Sequence, residues 1–265
     1  MIDRSKGLGL RILGCAALLA LPVIQGCATT QTDAEREQNY KKAESHRQLG
    51  MDHLANGRPE RALRELMMSD RLNPMHPETL YGLSRAYLVK DKHTDGEQKL
   101  LEALTIHPGY HEARYDLSTL YIQQERWEEA IFHCAILLDD PTFPAPWTAH
   151  NNSGWAAYHL GREIEAREHL QLAREYNEEY WPTLINLAIL ENQEGNRLEA
   201  VELFKRALEL DLWSSAKAET HYRLAEVYVS LGKRERAVGH LKTAVTQAPN
   251  DKWGKKSEDY LKILR

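Results

Sequence analysis

Phenylalanine is almost missing from this 265-residue chain, with 3 copies, and its 15 glycines and 10 prolines are thinly spread. Sheet-rich folds draw on aromatic and β-branched strands broken by frequent Gly and Pro turns, so this scarcity excludes them in favour of helices. The cysteines Cys15, Cys27 and Cys134 are odd in number and far apart. Neither a disulfide framework nor a zinc-ligand spacing is readable from them. A formal net charge of −5 without a Lys/Arg block leaves no electrostatic footprint for nucleic acid and no polybasic stripe for an anionic membrane. Catalytic strings are lacking as well: there is no HExxH, GxSxG, P-loop or strand-linked GxGxxG. The chain is therefore not expected to be an enzyme, nor to need a cofactor, a metal or a small-molecule substrate.

Hydrophobic residues make up 42% of the chain, enough for a sizeable core. The first thirty residues read as an address. Arg4, Lys6 and Arg11 precede an apolar stretch from Ile12 to Ile24, about 13 residues long. That length suits a secretory signal and falls short of the about 20 residues of a transmembrane helix. Ile24-Gln25-Gly26-Cys27 follows. It resembles the bacterial lipobox, which implies that residues 1–26 are a signal peptide and that Cys27 is lipidated and becomes the mature N-terminus. Residue 28 is Ala, not Asp, which under the enterobacterial sorting rule implies the outer membrane. Residues 27–41 are polar and lack an apolar period, and are read as a tether spanning at most roughly 50 Å at about 3.5 Å per residue.

From residue 42 to 265 the sequence is periodic. With Ala43 as position 1 of a unit of about 34 residues, position 8 is Gly50, Ser84, Ser118, Gly154, Ala188 and Ala225. Position 20 is Ala62, Gly96, Ala130, Ala166, Ala200 and Ala237. These small residues mark the crossing of two close helices. Position 24, filled by Leu66, Leu100, Cys134, Leu170, Phe204 and Leu241, plugs the space between hairpins. Cys134 is accordingly read as a small buried hydrophobe. Gly57, Gly161, Gly195 and Gly232 at position 15 end first helices at positive φ, and Pro74, Pro108 and Pro249 stop second helices. The units fall at about 43–76, 77–110, 111–144, 147–180, 181–214 and 218–251, with a capping helix at 252–265.

This pattern resembles the tetratricopeptide repeat (TPR), which implies an all-α superhelix of about six helix-turn-helix repeats. In that fold the first helices line a concave face. The resemblance then implies a protein-binding groove built from Tyr81, Arg85, Tyr115, Asn151, Asn152, Trp155, Tyr158, Ile185, Asn186, Ile189 and Tyr222. Such aromatic and Arg side chains dominate protein-binding hot spots. Asn152 and Asn186, at position 6 of consecutive repeats, resemble the asparagine ladder that grips an extended chain, because an amide offers both donor and acceptor. The Lys/Asn clamp for acidic C-terminal tails is missing, since Met51 stands where it needs Asn. His107 and His111 straddle a loop without a third convergent ligand and are read as solvated, as are Glu128-Glu129 and Glu178-Glu179.

The third unit runs into "DDPTFPAPWTAHNNSGWAAYHLGR", with Pro141, Pro144 and Pro146 forming a rigid connector before Asn152-x-Gly154. This string resembles a segment of the pilotin lipoproteins of type IV pili (the PilF, PilW and Tgl type). The resemblance implies a periplasm-facing outer-membrane lipoprotein that helps a secretin reach the membrane and assemble. A TPR lipoprotein adaptor for murein enzymes or envelope assembly stays open beside it.

Overall fold

The computed structural model describes residues 32–264. The signal peptide, Cys15 and the lipobox cysteine Cys27 lie outside the described residues. Among the described residues, thirteen helices and no strands are found. They run α1 (Asp33–Ala55), α2 (Pro59–Leu72), α3 (Pro77–Leu88), α4 (His93–Ile106), α5 (His111–Gln123), α6 (Trp127–Leu138), α7 (Pro146–His159), α8 (Glu163–Tyr176), α9 (Trp181–Gln193), α10 (Arg197–Leu208), α11 (Ser214–Ser230), α12 (Arg234–Gln247) and α13 (Lys252–Ile263). None of them is long and apolar enough to cross a membrane.

Consecutive helices pack as six antiparallel hairpins, and α13 closes the last. The crossing residues explain how closely they pack. A Cβ added at Gly154 would meet Leu170 Cγ at 2.7 Å and the Ala166 carbonyl at 3.1 Å. At Gly50 it would meet Leu66 Cγ at 2.6 Å. Leu66, Leu100, Cys134, Leu170 and Leu241 at the plug position are wholly buried, and Phe204 nearly so. Each such aliphatic side chain contributes about 1.5–3 kcal/mol by leaving water. The Cys134 thiol is pushed up to about 11 by burial, so it is inert packing.

Local chemistry sets the boundaries. Pro59, Pro77, Pro146 and Pro182 stand in the first turns of α2, α3, α7 and α9, where a missing N–H costs nothing. Gly57, Gly161, Gly195 and Gly232 adopt positive φ after first helices, as their spacing predicts. In the second and third hairpins the same turn is made by Asp91 and Glu125, at φ 56° and 59°. The Pro141–Pro144 stretch is irregular, as expected, and α7 begins at Pro146.

Two boundaries differ from the sequence pattern. The tether read over residues 27–41 is helical from Asp33 onward. Thr32 and Glu35 form a reciprocal cap: Glu35 N–H donates to Thr32 Oγ1 at 3.2 Å, and Thr32 N–H donates to Glu35 Oε2 at 2.8 Å. Solvated ion pairs such as Lys41–Glu37 then carry a helix that needs no apolar stripe. The sixth hairpin starts at Ser214, ahead of residue 218, because Leu212 folds into the core where a proline would have kept the chain extended.

Odd-numbered helices touch their odd-numbered neighbours at α1–α3, α5–α7, α7–α9, α9–α11 and α11–α13, whereas among the described residues the even-numbered helices do not meet to this extent. A stack that is tight on one side and splayed on the other curves toward the tight side. The odd helices therefore line the concave face.

Candidate functional site

The concave face changes character along its length. Its first part is polar. Arg47 pairs with Glu44 and Glu78, both at 2.5 Å. Further along, a cleft of about 270 Å³ is lined by Arg85, Asp116, Thr119 and Gln123 among others. Burial pushes the Asp116 carboxyl up, and Arg85 and the Tyr81 hydroxyl partly offset this. Arg85 itself is exposed and lies 5.8 Å from the Tyr81 ring centroid, while Tyr81 packs on Tyr110 at 5.1 Å.

The second part is aromatic. Trp155 stacks on Tyr158 at 5.2 Å and 10°, and meets His159 edge-on at 4.5 Å. His159 in turn stacks on Trp127 at 4.2 Å and 3°. Both Trp155 and Tyr158 stay partly exposed, as does Ile189 one repeat on. Tyr222 follows, packed between Trp253 and Tyr260 of the capping helix at 5.3 and 6.0 Å.

The third part is cationic. Arg223, Lys252 and Lys256 all sit over the Trp253 ring, at 4.9, 5.1 and 4.8 Å. Glu219 and Glu226 lie at 3.5 and 3.7 Å from the guanidinium. Burial pushes both carboxyls up, and Arg223 only partly offsets that. The Arg223 Nε is buried without a hydrogen-bond partner.

Of the residues predicted for the groove, the structure brings Tyr81, Arg85, Trp155, Tyr158, Ile189 and Tyr222 to the concave surface, partly or fully exposed. Tyr115 and Asn186 are partly exposed but make contacts inside the protein, and three more are buried. Ile185, at 6% exposure, belongs to the core. Asn151 and Asn152, at 5% and 8%, are buried and face neighbouring first helices. Asn152 Nδ2 donates to Ser118 Oγ at 3.3 Å and Thr119 Oγ1 at 3.2 Å. Asn151 Oδ1 accepts from Thr183 Oγ1 at 3.2 Å and Asn186 Nδ2 at 3.0 Å. The asparagines thus form a ladder, but it ties α5, α7 and α9 together, and the donor of Asn152 is spent inside the protein. Tyr115 packs beside Cys134 and Leu137 of the second helix. His111 bonds Asp140 at 2.8 Å and does not pair with His107.

The cationic end went unseen in the sequence because Arg223 and Trp253 belong to different elements. The alternation of Lys252, Trp253 and Lys256 on one helix face is the signal that points to it. Among the described residues, no three His, Cys, Asp or Glu side chains converge as a metal centre.

Comparison with known proteins bears on the repeats. Family models described as tetratricopeptide repeat match residues 47–111, 115–180 and 191–254. No curated protein sequence matches the chain. Among solved structures the chain is similar to PilW, described as a widely conserved type IV pilus biogenesis factor, with 18% identity and a TM-score of 0.69 over 81% of this chain and 97% of that one. It is similar to PilF of Pseudomonas aeruginosa, with 15% identity and a TM-score of 0.68 over 85% and 99% of the two chains. It is also similar to the Cut9–Hcn1 hetero-tetramer of APC/C, with 18% identity and a TM-score of 0.70 over 87% of this chain and 46% of that one. At these identities the likeness concerns the fold. With small residues at every hairpin crossing, plugs between hairpins and family models matching most of its length, the chain belongs to the tetratricopeptide repeat family and is a scaffold for protein interaction.

Proposed function

We propose that this chain is a lipid-anchored pilotin: a TPR scaffold, held at the outer membrane through Cys27 and facing the periplasm, that binds a secretin subunit and promotes its localisation and multimer assembly in type IV pilus biogenesis. The observation that carries the binding part is the concave face. Trp155, Tyr158, Ile189 and Tyr222 leave apolar surface open in a row, flanked by charge at both ends. Such a surface suits one amphipathic protein segment better than a small molecule.

The pilotin part draws on three supports. The lipobox resemblance ends at Cys27, and the Pro-rich string before α7 resembles pilotins. The fold likeness to PilW and PilF covers 81% and 85% of this chain and nearly all of those two. The helical start at Asp33 leaves only residues 28–32 between Cys27 and the first helix, so the scaffold would sit closer to the membrane than a long tether allows.

The test is deletion of the gene in its host, with the secretin followed by gel. Loss of heat- and SDS-resistant secretin multimers, restored by the wild-type gene and not by Cys27→Ser, is the expected result. Multimers that persist unchanged without the gene would remove the pilotin reading and leave an adaptor for other envelope proteins.

A further inference from the structure

Two of the cations at the far end of the groove have no anion of their own. Lys252 and Lys256, one turn apart on α13, are exposed and stand over the Trp253 ring at 5.1 and 4.8 Å. Neither is in an ion pair among the described residues. The nearby carboxyls of Glu219 and Glu226 close on the Arg223 guanidinium instead. Three cations thus face two carboxyls, and burial pushes both carboxyls up, so the balance is positive. Contact with the Trp253 ring restrains the two ammonium groups, which lowers the entropy a lysine loses on pairing.

This cationic end adjoins the aromatic row. The Arg223 charge acts on the Tyr158 hydroxyl and on His159, two first helices back on α7. Trp155 and Tyr158 are partly exposed, and so is Ile189 on the intervening α9. From α7 to α13 the face crosses three helix spacings of about 8–10 Å, roughly 25–30 Å in all. An extended chain covers that span in about eight or nine residues. The other end of the groove holds less free charge: Arg47 is already paired with Glu44 and Glu78, and Arg85 offsets the buried Asp116.

We propose that the groove selects a partner segment with carboxylates at one end. Its apolar side chains lie on Trp155, Tyr158 and Ile189, and its acidic end pairs with Lys252 and Lys256. This deepens the concave-face reading above and rests on it, but not on the partner being a secretin. The apolar row supplies contact area, and the lysines supply orientation. A segment laid in reverse would set its carboxylates against aromatic rings and leave both lysines unpaired. A basic end would meet like charge at α13.

The test is selection from a random library of displayed peptides of about 16 residues, long enough to span the groove, on the immobilised full chain. Peptides that Trp155→Glu no longer holds are expected to carry Asp or Glu clustered at one end. For such a peptide, Lys252→Gln with Lys256→Gln should weaken binding about five- to tenfold at low salt. Lys242→Gln, on α12, should leave it within about twofold. Added salt should weaken the parent and leave the double lysine variant nearly unaffected. Were the lysine substitutions to disturb α13, the peptide can be changed instead. Replacing its Asp and Glu by Asn and Gln should give the same loss in the parent and no further loss in the lysine variant. Selected peptides without an acidic end, or peptides that the lysine variant binds as tightly as the parent, would overturn the acidic end and leave the groove standing. A library whose ligands bind Trp155→Glu unchanged would remove the groove reading, and this inference with it.

Discussion

Asp91 and Glu125 occupy a turn position that four other hairpins give to glycine, and both hold φ near +60°. A side chain with a Cβ in that region costs about 1–2 kcal/mol, offset in part by the greater chain entropy that glycine loses on folding. Neither side chain makes a hydrogen bond that would be lost. Asp91→Gly and Glu125→Gly should therefore each raise stability by roughly 0.5–1 kcal/mol, read as a higher urea midpoint at unchanged slope. An unchanged midpoint would show that the turn is not strained. The opposite sign is expected at Gly154. An added methyl must displace Leu170 Cγ, 2.7 Å from the new Cβ, against a second helix that cannot back away. Gly154→Ala should cost about 1–3 kcal/mol by overpacking. The Asn151–Asn152 ladder gives a third residue-level expectation. Asn152→Ala leaves Ser118 and Thr119 without this buried donor, and about 1–2 kcal/mol should be lost in chemical unfolding while the helix content stays unchanged.

At the level of elements, the hairpins carry a pH dependence. His150 and His221 are lowered to about 4 by burial and then by the neighbouring imidazole, and His133 to about 4 by burial and then by Arg114. His169 and His240 shift the same way, opposed at His169 by Glu165 and Glu168 and reinforced at His240 by Lys205. Glu129 opposes the shift at His133, and Arg126 adds to it. The folded-state values lie below the unfolded value of about 6.5, so the unfolded chain binds these protons first. Their contribution to stability is therefore full above pH ~6.5 and is lost as pH drops toward ~4, while the raised carboxyls of Asp116, Glu219 and Glu226 act in the opposite sense. Thermal melts across that window should show the fall, and the combination His150→Gln with His221→Gln should make it shallower. A double variant whose pH dependence equals that of the parent would contradict the burial of these rings.

The elements also show what the sequence can reveal. Gly50, Ala62, Gly154 and Ala166 were legible because a close helix crossing admits so few side chains that the requirement is written in residue type. The start of α1 was not, because a capped, solvent-exposed helix with i,i+4 ion pairs leaves no apolar period. Asn152 and Asn186 were read as gripping a partner chain, whereas their amide donors bond within the protein. A carboxamide serves a neighbouring helix as well as a ligand, and only the packing of α5 against α7 decides between them. The pairing of His150 with His169 and of His221 with His240 had no meaning until the two helices of a hairpin were aligned.

At the scale of the whole molecule, the curvature turns six similar hairpins into one surface with three zones. The charged pairs near Arg47, the aromatic row from Trp155 to Tyr222, and the cations around Trp253 all stand on odd-numbered helices, which line the concave face. A partner that lays an amphipathic segment along this face would bury the aromatic row. The outer face exposes single apolar side chains instead, such as Phe132 on α6. The most direct test compares the two faces in the native host. Trp155→Glu with Tyr222→Glu on the concave side, and Phe132→Glu on the convex side, are introduced separately, and heat- and SDS-resistant secretin multimers are measured at equal levels of folded protein. The concave variant should lose the multimers, and the convex variant should keep them. Multimers that survive the concave substitutions, or that vanish equally with both variants, would contradict the account.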